Sequence, residues 1–203
     1  MTRLILIRHP QTDWNAEGRY QGQTDVPLNE VGRAQSREVA AALATTAITA
    51  VYASDLRRAR ELAEAIASAA GVPLHLDPRL REIDQGEWEG LLGKEVRDRW
   101  PDLLERRSVD PGGFAPPGGE RFTDVRSRVL ACVAGVLRAH EGETVAIASH
   151  GLALAIVRAQ YERLPWVTVW DLILPNATPY AIEVEDRPNG PNERVVEDHP
   201  IAR

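Results

Sequence analysis

Three short apolar runs punctuate the chain, at residues 4–7, 50–53 and 144–148. Each is close to continuous rather than alternating, the pattern of strands covered on both faces. Between them the apolar spacing changes. Leu56, Ala59, Leu62, Ala63, Ile66 and Ala70 recur at three- and four-residue steps, which gathers them on one face of a helix. Phe122, Val125, Val129, Val133, Val136 and Leu137 repeat that pattern. A third helix is predicted from an N-cap at Asn29 through Val31 to about Leu43, and a fourth follows Gly151. Strands alternating with helices predict an α/β fold, a three-layer sandwich with a mostly parallel central sheet and helices on both faces.

Residues 101–121 break the alternation. Pro111-Gly112-Gly113 and Pro116-Pro117-Gly118-Gly119 are turn and loop signals in a polar stretch. They are read as part of a lid-like excursion at about 91–120, beside the sheet and not a linker, so that residues 1–203 make one domain. Near the C-terminus, 179–184 and 194–196 are expected to pair as a hairpin across 187–191, with a loose tail at 198–203. Trp166 and Trp170 are four apart and are expected to pack on one helical face. Trp14, Trp88 and Trp100 either wall a pocket or pack.

Composition narrows the function classes. With 203 residues, 43% hydrophobic and 27% charged, the chain is sized for one core. It is too apolar for disorder, and its apolar residues are too dispersed for a membrane span. Lys plus Arg is 24 against 30 Asp plus Glu, a net charge of −6. A global basic footprint for nucleic acid is missing. The sole cysteine, Cys132, has no partner for a disulfide or a Cys-based zinc site and is expected as small core filler. The apolar run at 4–7 is too short for a signal-peptide core. A cytoplasmic protein with neither membrane nor nucleic-acid partners is expected.

The chemistry collects just after the strands. Arg8-His9 follows the first run, Ser54-Asp55-Leu56-Arg57-Arg58 the second, and Ser149-His150-Gly151 the third. In open α/β sheets, ligands bind beyond the carboxyl ends of the strands. An acidic chain that gathers arginines and histidines there builds an anion site. Two guanidinium groups hold a phosphate dianion through charge-assisted hydrogen bonds. The same cations bias a nearby histidine toward the neutral form, which is the nucleophilic one. Helix starts after Asp55 and His150 are expected to add backbone N–H groups aimed at the anion. Glu82 is the first candidate for a proton donor to the leaving alcohol and Asp84 the second. Arg57 reads as a solvated neighbour, Arg19 is open, and His75, His140 and His199 are expected at the surface.

The segment Leu6-Ile7-Arg8-His9-Pro10-Gln11-Thr12 resembles the opening motif of the histidine phosphatase superfamily, the phosphoglycerate-mutase-like proteins. Gly18-Arg19-Tyr20-Gln21-Gly22, Pro27-Leu28-Asn29-Glu30, Ser54-Asp55-Leu56-Arg57-Arg58-Ala59, Leu80-Arg81-Glu82 through Glu89-Gly90, Pro117-Gly118-Gly119-Glu120 and Ser149-His150-Gly151 are similar to motifs that follow in that family, in order. The resemblance implies His9 as a nucleophile forming a phosphohistidine. It implies Arg8, Arg58 and His150 as binders of the phosphoryl group, and Glu82 as the acid that protonates the leaving oxygen and then activates water. Asn15, Gln21, Gly22 and Gly151 are implied on the substrate side. No metal and no cofactor is implied, because the arginines take the place of a divalent ion.

Two positions depart from the family. Pro10 stands where Gly usually follows the histidine, which removes a backbone N–H and fixes φ. Whether that N–H matters for phosphate is open at this point. Leu62 stands where Thr is frequent and fits the apolar face of its helix. Within the family, the short excursion with mixed charge and the segments 87–90 and 117–120 are more similar to the phosphatase branch. The expected activity is a phosphoric monoester hydrolase acting on a small phosphorylated metabolite. The alternatives are a cofactor-dependent phosphoglycerate mutase and a non-catalytic phosphate-binding protein. The leaving-group pocket is expected to involve Gln21, Trp88 and the excursion.

Overall fold

A computed structural model describes residues 1–185, and among these five strands form one sheet. They are β1 (Thr2–Arg8), β2 (Ile48–Ala53), β3 (Leu74–Leu76), β4 (Thr144–Ser149) and β5 (Pro179–Val184), in the order β3-β2-β4-β1-β5. The first four run parallel, and β5 runs antiparallel to β1 on the edge. The helices are α1 (Asp13–Glu17), α2 (Glu30–Leu43), α3 (Arg57–Ala70), α4 (Gly93–Arg99), α5 (Pro101–Val109), α6 (Phe122–Ala139) and α7 (Gly151–Tyr161). Short 3-10 turns occupy Pro78–Leu80, Gly86–Trp88, Pro111–Gly113 and Trp166–Leu172.

The apolar runs are continuous because successive side chains point to opposite faces of a sheet covered on both. Leu4 and Leu6 join Val145 and Ile147 under α6 and α7, while Ile5 and Ile7 join Val51 and Ala148 under α2 and α3. The predicted helices form with the predicted faces. Asn29 caps α2 by accepting from the Gly32 N–H at 2.8 Å, which satisfies one of the free donors at a helix start. Leu62 is fully buried against the strands, so its departure from the family reflects packing. Among the described residues no helix is long and apolar enough to cross a membrane.

Several expectations change. The turn signals at 111–119 hold, but the first part of the 101–121 stretch is helical: α5 occupies 101–109, just after α4, and Pro101 opens α5 at its first turn, where proline is tolerated. Residues 179–184 do form a strand, but it pairs with β1, Thr2 facing Val184 and Ile7 facing Pro179. The proposed second strand 194–196, its turn, the tail and His199 lie outside the described residues. β3 is too short, at three residues, to show a period. Trp88 is fully buried against Tyr20, Trp100 and Phe114, so it packs and does not wall a pocket. Trp166 and Trp170 pack on Phe122 as expected. Cys132 is buried, and burial chiefly pushes its thiol up to about 12. His75 is exposed, but His140 is half-buried, its ring nitrogens 2.7 Å from the Glu143 carboxylate and 3.0 Å from the Tyr52 hydroxyl.

Candidate active site

The parallel register brings the strand ends level. Arg8 pairs with Ser149, Ala53 with Ala148, and the ladder runs one bond further through His9 N–H to Ser149 O (2.8 Å) and Ser54 N–H to Ala148 O (3.1 Å). His9 therefore leaves β1 beside the point where His150 leaves β4 to cap α7. Their rings lie 5.3 Å apart, tilted by 56°, and both residues are buried. Arg58, in the first turn of α3, is fully enclosed.

Every hydrogen bond that the structure gives the two guanidinium groups goes to a main-chain carbonyl. Arg58 donates to Thr24 O (2.9 Å) and Gly22 O (2.7 Å), and Arg8 donates to Leu174 O (3.1 Å). Among the described residues, Arg8 Nε, Arg58 Nε and both ring nitrogens of His150 are enclosed without a hydrogen-bond partner. Unsatisfied buried groups of this kind cost about 1–3 kcal/mol each, more when charged. A cluster of them with this sign is a site that an anion stabilises.

His9 is oriented from its Nδ1 side. That nitrogen lies 2.8 Å from the Pro10 carbonyl, which can only accept, so Nδ1 carries the proton and Nε2 keeps its lone pair. The part of residue 10 that the ring needs is the carbonyl, and proline retains it. Burial holds the His9 pKa well below the ordinary range, reinforced by Arg58 and Arg8 and opposed by the Pro10 bond. His150 is lowered in the same way, by burial first and then by Arg58, His9, Arg8 and Arg128. Burial lowers Arg58 to about 10, with Glu82, Asp25 and Glu89 opposing. Arg8 is lowered by burial and raised by Glu82.

Among the acidic residues of 82–89, Glu82 is the one turned into the site. Its carboxylate accepts from Ile83 N–H (3.0 Å) and Leu152 N–H (3.1 Å). A Cβ on Gly151 would stand 3.4 Å from a Glu82 carboxylate oxygen and 3.7 Å from the Arg8 guanidinium carbon, so this glycine marks where carboxylate and cation meet. The other candidates are used elsewhere. Asp84 accepts from Gly86 N–H at 2.8 Å, Glu87 is exposed, and Glu89 binds the main chain of Gln23, Thr24 and Gln85.

Other expected residues divide. Gln21 has both side-chain amide atoms enclosed and unpartnered. Gly22 gives its carbonyl to Arg58, and a Cβ there would overlap the Glu89 carboxylate; its visible task is to hold Arg58. Asn15 caps α1 with Thr12, its side-chain oxygen accepting from the Thr12 N–H at 3.1 Å. Arg57 is exposed and Arg19 donates to Gly90 O at 2.7 Å. Two of the N–H groups at the helix starts are engaged by side chains. The Arg57 N–H is bound by Asp25 (2.7 Å) and the Leu152 N–H by Glu82. Asn176 was invisible to spacing arguments. It donates to the His9 carbonyl at 2.6 Å and reaches the Asn15 side chain at 3.5 Å, linking the loop before β5 to the α1 cap. Nothing in its Pro175-Asn176-Ala177 surroundings distinguishes it from an ordinary turn.

Comparison with known proteins gives the family and the fold. The histidine phosphatase superfamily (branch 1) matches residues 4–193. The chain is 34% identical over 192 residues to phosphoserine phosphatase 1 of Hydrogenobacter thermophilus, covering 93% of this chain and 90% of that one. It is 38% identical over 192 residues to a probable phosphoglycerate mutase GpmB of an Enterobacter species, covering 93% and 87%. The structure of a mycobacterial glucosyl-3-phosphoglycerate phosphatase in complex with VO3 is similar with a TM-score of 0.81 and 31% identity, over 89% of this chain and 90% of that one. On its sequence, its fold and the residues at its strand ends, the chain belongs to branch 1 of the histidine phosphatase superfamily.

Proposed function

We propose that the chain is a metal-independent phosphatase that hydrolyses a small phosphomonoester through a phosphohistidine on His9. The observation that carries this reading is the Nδ1 bond from His9 to the Pro10 carbonyl, which leaves Nε2 unprotonated beside the arginine pair. Nε2 attacks phosphorus as the ester P–O bond breaks, and the leaving oxygen takes a proton from the Glu82 carboxyl. A water then attacks phosphorus and gives its proton to Glu82 as the P–N bond breaks, its electron pair returning to Nε2, and orthophosphate departs. Arg8, Arg58 and His150 hold the phosphoryl oxygens, so the charge of both transition states falls on fixed donors. Gln21 offers its unpaired amide to the phosphate or the group it carries. Asn15, Gly22 and Gly151 act by positioning and clearance. Phosphatases among the similar proteins, one named for phosphoserine and one for glucosyl-3-phosphoglycerate, support hydrolysis.

The similarity to a probable phosphoglycerate mutase keeps a second reading, transfer to another hydroxyl instead of water. A time course with EDTA separates the two, using p-nitrophenyl phosphate beside 3-phosphoglycerate with and without 2,3-bisphosphoglycerate. Steady release of inorganic phosphate without interconversion of phosphoglycerates is expected. Efficient interconversion with little release makes it a mutase. His9→Ala should lower turnover by at least about three orders of magnitude, and activity near wild type in that variant would remove the nucleophile assignment. A folded wild type that binds vanadate but turns over neither substrate would be a phosphate-binding protein.

A further inference from the structure

Glu82 lies on neither a helix nor a strand; it sits between the 3-10 turns Pro78–Leu80 and Gly86–Trp88. Its carboxylate is nonetheless placed against Arg8 and the start of α7. Gln23 Nε2 donates to the Glu82 carbonyl at 3.3 Å and Ser149 Oγ to the Leu80 carbonyl at 2.6 Å, but the side chain that makes the most bonds to this loop is Arg128, from the middle of α6. Its Nε and Nη2 hold the two oxygens of Glu120 at 2.7 and 2.8 Å. Its Nη1 donates to the carbonyls of Arg79 (2.8 Å) and Arg81 (2.6 Å), and Nη2 donates also to the carbonyl of Glu82 itself (2.9 Å). Those five bonds match the five N–H donors of a guanidinium. Glu120 completes the clamp, its N–H donating to Asp84 O at 2.9 Å. The carbonyls of Arg79, Arg81 and Glu82 thus converge on one planar group carried by an 18-residue helix.

We propose that Arg128, braced by Glu120, is the positioning residue for Glu82, and that it sets how well the site protonates a poor leaving group. The proposal rests on the reading of Glu82 as the acid. Arg128 touches no reacting atom; it acts through the Glu82 main chain. A misplacement of about 1 Å in a catalytic group costs up to about 10²-fold. Lysine keeps the charge but cannot reproduce a forked, five-donor clamp.

The test compares Arg128→Lys, Arg128→Ala and Glu82→Gln with wild type on substituted phenyl phosphates of rising leaving-group pKa, with vanadate affinity and thermal melting in parallel. A carboxyl that protonates the leaving oxygen matters least for p-nitrophenol and most for phenol. Glu82→Gln and Arg128→Lys should both steepen this dependence. For Arg128→Lys, phenyl phosphate should lose about tenfold more kcat/KM than p-nitrophenyl phosphate, with vanadate affinity within about threefold of wild type. Should Arg128→Ala not fold, the lysine variant carries the test alone. A merely structural arginine would lower the melting temperature and slow all the esters alike; that result, or unchanged kinetics, overturns the proposal. If Glu82→Gln steepens the dependence and Arg128→Lys does not, only the positioning role falls. If neither steepens it, the acid assignment falls and the proposal with it.

Discussion

His9 and His150 stand one residue beyond β1 and β4, on strands whose central residues, Leu4 to Ile7 and Val145 to Ala148, are all buried. In the excursion, α5 buries no residue at all. Charge is handled differently in the two places. The excursion pairs Lys94 with Asp98 (2.7 Å) and Glu95 with Arg99 (3.5 Å), each one helical turn apart and in contact with solvent. At the strand ends, guanidinium groups are drawn into the interior and bonded only to carbonyls, with nitrogens left over. The first arrangement is complete without a ligand. The second is costly by several kcal/mol per buried ion unless an anion arrives. The proposed phosphoryl site thus stands at the ends of strands with buried centres. The part flanking it is held down by an aromatic seam, Trp88, Trp100, Phe114 and Trp170.

The largest expected effect breaks the comparison if it fails. Arg58→Ala should lower kcat/KM on p-nitrophenyl phosphate by about 10²–10³-fold, the usual loss on removing one fixed donor to transition-state charge. It should also abolish most of the rise in melting temperature that vanadate gives the wild type, since a ligand stabilises only through the state that binds it. Arg99→Ala, which removes an arginine of the excursion, should stay within about twofold in both measurements. Comparable losses in the two variants would mean that the excursion supplies phosphoryl binding, and the division drawn above would be wrong.

The same division governs what was readable from residues alone. Arg8, His9 and His150 were legible because a buried strand cannot end in charge without cause, and four apolar residues followed by Arg-His is a strong local contrast. The faces of α3 and α6 were legible from spacing, since each packs one side on the sheet, and α2 was legible from its cap at Asn29. What spacing missed is long-range and polar. Asn176 reaches His9 across 167 positions and Ser149 reaches Leu80 across 69; neither leaves a period to detect. The helices of the excursion were hidden for the opposite reason. α4 buries only Val96 and α5 nothing, so there is no apolar stripe to announce them. The engagement of the Leu152 N–H by Glu82 depends on how a loop meets the start of α7, which no local pattern encodes.

A smaller effect sharpens the electrostatic half of the comparison. In the fold, the pKa of both His9 and His150 is held well below the ordinary histidine range, by burial first. In the unfolded chain they titrate near about 6.5. Below that pH the unfolded state takes up protons that the fold refuses, so the fold loses stability. The loss grows until the pH reaches the lowered native values, at about 1.4 kcal/mol per pH unit for each histidine. Above about 6.5 neither state binds these protons and the loss is nil. The urea midpoint in phosphate-free buffer should therefore fall between pH 7 and 5.5. In His150→Gln that fall should shrink by about half. Residues 91–120 contain no histidine and contribute nothing to it. A midpoint flat over this window, or an unaltered slope in the variant, would show that the histidines are not held neutral.

The smallest effect belongs to the surface of the excursion. The Lys94 and Asp98 side chains are 78% and 60% exposed, so their attraction works through water and is screened by salt. An exposed pair four apart on a helix contributes about 0.3–0.5 kcal/mol. Lys94→Ala also trades lysine for the best helix former, which offsets part of that. The net change in unfolding free energy should be indistinguishable from zero at 0.15 M salt, with kcat and KM on p-nitrophenyl phosphate unchanged. A loss of more than about 1 kcal/mol would exceed what an exposed pair supplies. It would place Lys94 in a network that reaches the body of the protein, and the excursion would no longer stand apart from the strand ends.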